Sequence, residues 1–312
     1  MTDTITPAPA ETEQRSRAAH RVRRDGLEVP RGRRWWREIG WRHAVGLAGV
    51  VFAGFPVLYI ISAAFNPLGS VATTEIIPRS FSLANFETLL GGSKGPFGVW
   101  YLNTLVLCTA VSVAQVLLST LAAYAFSRFR FYGRRGGLLA LLLVQMFPQF
   151  LAVVALFLMI ANFGKVIPGI GLNTLAGYAL VLMGGALGQV WLIKGFFDSI
   201  PSELDEAARI DGAGHFRTFT SIILPLIRPV LAVTGLLVFV AVIGEYILAS
   251  IFLTDNSVQT LAVGMFGIIA GDRSNNLGVF AAGSVMIALP VLLLFMYLQK
   301  FIVGGLTAGS VK

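Results

Sequence analysis

Cysteine is almost missing from this chain of 312 residues: Cys108 stands alone inside an apolar run. That excludes a disulfide framework and a thiolate metal site. The three histidines, His20, His43 and His215, are too far apart in sequence for paired-ligand spacing, so no metal-binding set is legible. Charge is scarce as well. Asp, Glu, Lys and Arg make up 13% of the chain, against about 25% in a soluble domain. A phosphate-binding loop is also lacking, because the Gly164-Lys165 pair is followed by Val166 rather than Ser or Thr. Without backbone N–H groups cradling phosphate and a lysine beside them, nucleotide cannot be held in the P-loop manner. No nucleophile–base pair suggests a membrane enzyme.

What the chain does have is hydrophobic length: 55% of its residues are hydrophobic and the mean hydropathy is +0.75. Six nearly uncharged runs reach the roughly 20 residues that a helix needs to cross a bilayer. They lie between Arg42 and Glu75, Lys94 and Arg128, Arg135 and Lys165, Lys165 and Lys194, Pro229 and Leu253, and Arg273 and Lys300. The first is expected to be helical from Ala44 to Phe65, and the fifth contains the one acidic residue within a span, Glu245. The runs are continuous rather than alternating, and lipid offers backbone groups no partner, so helices are expected rather than strands. The expected fold is an all-α integral membrane protein, with six transmembrane helices in residues 44–312.

The formal charge of +8 does not point to nucleic acid. Ten of the 24 basic residues precede position 43, four fall in Arg128–Arg135, four in Lys194–Arg228 and two in Lys300–Lys312. The other four, Arg79, Lys94, Lys165 and Arg273, fall in the alternate loops. This is the positive-inside pattern, and it places both termini in the cytoplasm. Residues 1–43 read as an Arg-rich cytoplasmic tail, disordered or lying on the anionic inner leaflet. A cleavable signal peptide does not fit, because the first apolar run starts near position 44 and is a full span long. Two external loops exceed simple turns. The first, Asn66–Trp100, contains Phe81–Phe86 as a candidate interfacial helix; the second, residues 254–278, is polar at both ends.

Residues 194–228 contrast with the rest. They carry Lys194, Asp198, Glu203, Asp205, Glu206, Arg209, Asp211, Arg217 and Arg228. One charge at a helix centre costs about 2.5–3.5 kcal/mol on insertion scales, so this segment must lie in water. A short helix is expected from Ser202 to Asp211, with Ser202 capping it and Gly212 in the left-handed position after it. Leu204, Ala207, Ala208 and Asp211 then share one shallow face, ringed by Glu203, Asp205, Glu206 and Arg209. Pro225 and Pro229 mark the return to the membrane.

Glu206-Ala207-Ala208, Gly212 and, nine residues on, Ile222-x-Leu224-Pro225 match E-A-A-x-x-x-G-x9-I-x-L-P. This resembles the cytoplasmic signature loop of importer-type ABC transporter permeases. Gly304–Lys312, Gln259–Met265, Gln145–Pro148 and Trp191-x-Ile193-Lys194-Gly195 are similar to the second permease subunit of maltose/maltodextrin-type sugar importers. The resemblance runs from about His43 to Lys312 and departs in the N-terminal tail and the middle of the last external loop.

The resemblance implies a type I (MetI-like) importer permease fold in the bacterial inner membrane. It implies a non-catalytic subunit that works with a homologous second permease, two ABC ATPase subunits binding ATP and Mg, and an extracytoplasmic sugar-binding protein. ATPase coupling would fall on Leu204, Glu206, Ala207, Ala208, Asp211, Gly212, Leu224 and Pro225. An ATPase-interface tail would comprise Leu306, Thr307, Ala308, Gly309, Ser310, Val311 and Lys312. Asp255, Asn256, Ser257, Asp272, Arg273, Asn275 and Asn276 would meet the binding protein.

Glu245, Gln145, Gln149 and Tyr246 are candidates for the substrate pathway. Asn103, Gln189 and Trp191 are further polar or aromatic candidates, and all of these read equally as interhelical or interfacial contacts. Gly184-x-x-x-Gly188 reads as a packing face. Trehalose or another glucoside is an alternative substrate. An ion-coupled secondary transporter is the alternative of a different class, but it needs more mid-membrane ionisable groups than Glu245 alone.

Overall fold

The computed structural model describes residues 36–67 and 81–308, and no strand occurs among them. The first 35 residues of the expected tail, Arg79 and the end of the C-terminal tail, Gly309, Ser310, Val311 and Lys312, lie outside the described residues. The chain divides into two compact units at Tyr59/Ile60. The described part of the first unit is a π turn, Trp36–Gly40, and the start of helix α1, Trp41–Phe65, which begins three residues earlier than expected. Its side chains are mostly exposed as far as Ile61, Phe52 at 85%, as suits lipid rather than water, whereas Ser62 and Ala64 near its end are buried.

The second unit is built on α3, Phe97–Arg128. It is preceded by the short α2, Ala84–Leu90, and followed by α4, Arg134–Met146, and α5, Gln149–Val166. The chain continues through α6, Leu175–Leu182, a 3-10 turn, Met183–Gly185, and α7, Ala186–Ser199. Next come α8, Glu203–Ile210, and α9, His215–Leu226, which contains a π turn at Phe219–Ile223. The last elements are α10, Arg228–Ile243; α11, Ile247–Phe252; α12, Leu261–Gly271; and α13, Arg273–Ala308.

Four stretches are long and apolar enough to cross a membrane: Trp41–Phe65, Phe97–Arg128, Leu175–Ser199 and Asn275–Phe301. Two bent pairs, α4 with α5 and α9 with α10, bring the number to six if each is one span. The second pair bends by 76° where Pro229 begins α10. Proline suits that place because its missing N–H would have no helical partner in the first turn.

Three apolar clusters follow one another along α3. Phe97 and Trp100 pack with Leu261, Met265 and Ile268 of α12 and with Val279 and Ala282 of α13. Leu107, Cys108 and Val111 pack with Tyr178, Phe239 and Phe252. Ala123 and Tyr124 pack with Ile193 and Phe197 of α7 and with Phe219 and Ile223 of α9. One helix thus threads every core of the unit.

Several expected boundaries are corrected. The helix near Phe81 starts at Ala84, where Ser82 Oγ accepts the Ala84 N–H at 3.2 Å, and Phe81–Leu83 are not helical. The fifth run is two helices broken at Gly244–Tyr246. Residues 254–278 are largely helical, since Leu261, Gly264, Met265 and Ile268 bury one face of α12. Of the C-terminal segment, Leu306, Thr307 and Ala308 lie in the last turns of α13, which runs to Ala308.

Candidate docking loop

The polar segment after α7 folds as a helix on a buried anchor. At its start, Ser202 already has helical backbone angles (φ −68°, ψ −19°) and makes no side-chain cap bond, so the expected hydroxyl cap is absent. The first turn instead uses main-chain carbonyls, with the Asp205 and Glu206 N–H groups donating to Ser202 O at 3.0 and 3.1 Å. At the other end Gly212 adopts φ +79°. Its N–H donates to Arg209 O at 3.0 Å, and the Ala213 N–H reaches back to Ala208 O at 2.8 Å. This is a Schellman closure, which needs the left-handed residue that glycine supplies without strain.

Only Asp205 and Ala208 of α8 are buried. Asp205 Oδ2 lies 3.0 Å from Arg128 Nε, at the last residue of α3, with the two side chains 10% and 13% exposed. Arg128 Nη2 also donates to Ile200 O at 2.9 Å, just before α8. Two expectations are corrected here. Asp205 does not belong to the outer rim of charges, because its carboxylate faces inward onto Arg128. Ala208 does not share the open face with Leu204, Ala207 and Asp211, because it follows Asp205 by one helical turn and is buried with it.

The open surface is formed by Leu204, Ala207 and Ile210, with Phe216 beyond the turn; Ile210 is 87% and Phe216 79% exposed. Glu203, Glu206 and Asp211 add negative charge. Ile210 and Phe216 were not among the expected site residues. Their signal was two large apolar side chains in a stretch too charged to enter lipid. Leu224 and Pro225 are half-buried in the return leg and lie off this surface.

Beneath the helix, the Tyr124 ring centroid lies 4.7 Å from that of Phe219 and 5.6 Å from those of Phe129 and Phe197. Phe129 meets His215 edge-on at 5.3 Å. Asp198 accepts a bond from Ser127 Oγ at 2.6 Å and pairs with Lys194 one turn back. The loop therefore rests on the ends of α3, α7 and α9 together.

At the opposite end of α3 a second polar segment is strapped down. Trp100 Nε1 donates to Asn256 O at 2.9 Å, and Asn103 Nδ2 donates to Ser257 O and Gln259 O, both at 3.1 Å. The Leu261 N–H reaches Thr104 Oγ1 at 2.7 Å. From the other side Asn173, itself at φ +54°, accepts the Thr254 and Asp255 N–H groups at 2.7 and 3.1 Å. The Ser257 N–H and hydroxyl both donate to Asp255 and hold its carboxyl below the usual carboxylate range.

Asp255, Asn256, Ser257, Asp272, Arg273 and Asn275 are exposed. Asp272 caps α13 through the Asn275 N–H at 3.3 Å. Asn276 is corrected: it is buried and donates to Ile268 O at 2.8 Å, so its amide serves packing.

The intramembrane candidates have partners of their own. Glu245 accepts the Leu248 and Ala249 N–H groups at 2.9 Å each, and also the Tyr178 hydroxyl. A helix restarted inside the bilayer needs acceptors for its first N–H groups, and this carboxylate supplies them. Glu245→Ala should therefore lower the melting temperature in detergent more than Glu245→Gln, whose amide oxygen still accepts. Each orphaned donor costs about 1–3 kcal/mol, and equal effects of the two substitutions would argue against capping.

Tyr246 stacks on Phe266 at 4.5 Å, and Gln145 Nε2 donates to Leu187 O at 2.9 Å. The Gln149 side chain lies outside the described residues. Gly184 has open space around it. A Cβ on Gly188 would stand 3.3 Å from the Gln145 amide and one on Gly185 2.8 Å from the Gln115 amide, so close packing falls at Gly188 and Gly185. Among the described residues no group of three or more His, Cys, Asp or Glu comes together as a metal site.

Residues 115–306 match the family described as binding-protein-dependent transport system inner membrane component. The chain is 40% identical over 258 residues to the maltodextrin transport system permease protein MdxG of Bacillus subtilis (strain 168), covering 83% of this chain and 90% of that one. It is 41% identical over 269 residues to the maltose/maltodextrin transport system permease protein MalG of Vibrio vulnificus (strain YJ016), with the same coverages of 83% and 90%. Its fold is similar, with a TM-score of 0.69 and 23% identity over 87% of this chain and 99% of the other, to a chain from the crystal structure of a bacterial ABC transporter importing the acidic polysaccharide alginate. With its intact signature loop, the chain belongs to the binding-protein-dependent transport system inner membrane component family.

Proposed function

We propose that this chain is the MalG-type permease subunit of an ATP-driven importer for maltose/maltodextrin-type oligosaccharides in a bacterial inner membrane. It forms half of the translocation pathway beside a homologous, MalF-like permease. Two MalK-like subunits bind and hydrolyse ATP with Mg, and an extracytoplasmic binding protein delivers the sugar. The two bent pairs each count as one span, giving six, with both termini in the cytoplasm. The observation that carries the reading is the docking helix: α8 is fixed from within by Arg128–Asp205 and offers Leu204, Ala207 and Ile210 outward beside Glu206. The relatives named as maltodextrin permeases support the substrate class.

The geometry is consistent with a division of labour between the two ends of the chain. Ala207 keeps the outward face of α8 shallow, so an ATPase surface can approach it closely, and a rigid short helix passes on displacement rather than absorbing it. Leu306–Lys312, at and beyond the end of α13, contribute a second ATPase contact. The exposed residues Asp255, Asn256, Ser257, Asp272, Arg273 and Asn275 face the binding protein at the other end. Closure of the ATPase pair then biases a two-state permease that both ends read.

Reconstituted with a partner permease, the ATPase and a binding protein, the chain should take up maltotriose only with ATP. Uptake driven by a proton gradient with the ATPase omitted would sink the proposal. Glu206→Lys should insert at normal levels, because its side chain is exposed, and should reduce uptake at least tenfold by reversing one docking charge. Normal uptake by this variant with ATPase still bound would remove α8 from the coupling role.

A further inference from the structure

We infer that α3 is the strut that sets the docking helix in place, and that Arg128 is the positioning residue through which it does so; this rests on the proposed function. The guanidinium sits at the last residue of α3 and makes two connections at once. Its Nε lies 3.0 Å from Asp205 in the first turn of α8, and its Nη2 donates to Ile200 O at 2.9 Å, where α7 ends. Asp205 and Ala208 are the only residues of α8 buried in this chain, so the ion pair is the one charged link between α8 and the bundle among the described residues. The other contacts beneath α8 are largely apolar and aromatic, and the remaining polar link, Ser127 to Asp198, holds the end of α7 rather than α8 itself. An arginine fits this place because its charge can pair with a carboxylate while a second N–H group of the same side chain donates to a carbonyl.

The other end of the same helix is fastened as firmly. Trp100, Asn103 and Thr104 bind Asn256, Ser257, Gln259 and Leu261 of the outer segment. Between these fastenings α3 runs without a break for 32 residues, about 48 Å at 1.5 Å per residue, and contributes to all three cores. A displacement of the outer segment therefore has one continuous rigid element along which to reach α8, and Arg128 is where that element grips it. Arg128 touches neither nucleotide nor sugar in this scheme; it acts through Asp205.

The test uses the full complex in proteoliposomes, with maltotriose, the external binding protein and ATP. Arg128→Gln and Asp205→Asn are compared singly and together with the unsubstituted chain. The readout is the ratio of binding-protein-stimulated to unstimulated ATP hydrolysis per assembled complex. Each single variant leaves one buried charge unpaired and should lower that ratio at least fivefold, while the double variant, whose amides can bond to each other, should recover a substantial part of it. If the link were only structural, assembly would fall but the ratio in surviving complexes would not move, and that result overturns the inference. Losses that simply multiply in the double variant overturn it too, because they deny that the two side chains act as a pair. Should the unsubstituted complex itself show no ATP-dependent uptake, the proposed function fails first. That outcome is distinct from failure of the strut, which requires a working unsubstituted complex.

Discussion

Gly212→Val should abolish sugar uptake while leaving the chain in the membrane in normal amount. The substitution places a β-branched side chain at φ +79°, where nothing crowds it but its own backbone resists. That strain costs on the order of 1–3 kcal/mol. It falls on the two closing bonds of α8, from the Gly212 N–H to Arg209 O and from the Ala213 N–H to Ala208 O. The bundle does not depend on this turn, so insertion and the three apolar cores persist. The docking helix loses its last turn, and with it the fixed angle of Ile210 and Phe216. Uptake should fall to less than about a tenth, and binding-protein stimulation of ATP hydrolysis should disappear. Gly212→Asn, a residue that tolerates the left-handed region, should restore much of both. Equal loss from Val and Asn would show that something other than backbone conformation is at stake.

The second large effect concerns stability. A Cβ on Gly264 would lie 2.2 Å from Trp100 Cε3, and Trp100 is almost fully buried. Gly264→Ala must therefore move the indole, which breaks its bond to Asn256 O. Overpacking of this kind costs about 1–3 kcal/mol, and the lost hydrogen bond adds about 1 kcal/mol. A melting temperature in detergent lowered by several degrees is expected, together with protease cleavage at Thr254–Gln259, whose strap has been loosened. Gly267, on the same helix with no neighbour within 4 Å, is the control, and Gly267→Ala should change little. If the two alanine variants melt alike, the close approach of α12 to Trp100 does not bear load.

The docking helix was legible because its rules are local. Charge density excluded the segment from lipid, and Gly212 marked a left-handed closure set by the backbone alone, since a Cβ there would meet nothing within 4 Å. Partnerships across the chain were not legible. Asp205 looked like one more surface acid, since nothing near it in sequence reveals Arg128, 77 positions earlier. Glu245 reads in sequence as a pathway candidate, and its bonds to Tyr178 and to the N–H groups of the helix that restarts beside it were not legible there. Leu261–Gly271 lies inside the segment that reads as an external loop, and its helix was not legible because the surfaces it buries against, α13 and Trp100, are set by packing.

By itself, then, the sequence determined that the chain is helical with several segments apolar enough to cross a membrane, that residues 194–228 are too charged to enter lipid, and where that segment turns at Gly212. These follow from transfer free energies and backbone preferences, which each segment carries with it. Only the tertiary structure decided which face of α8 turns inward, which acid is buried, and that one helix joins the outer strap to the docking loop. Those depend on groups far apart in the chain, whose burial and pairing are fixed only once packing brings them within a few ångströms.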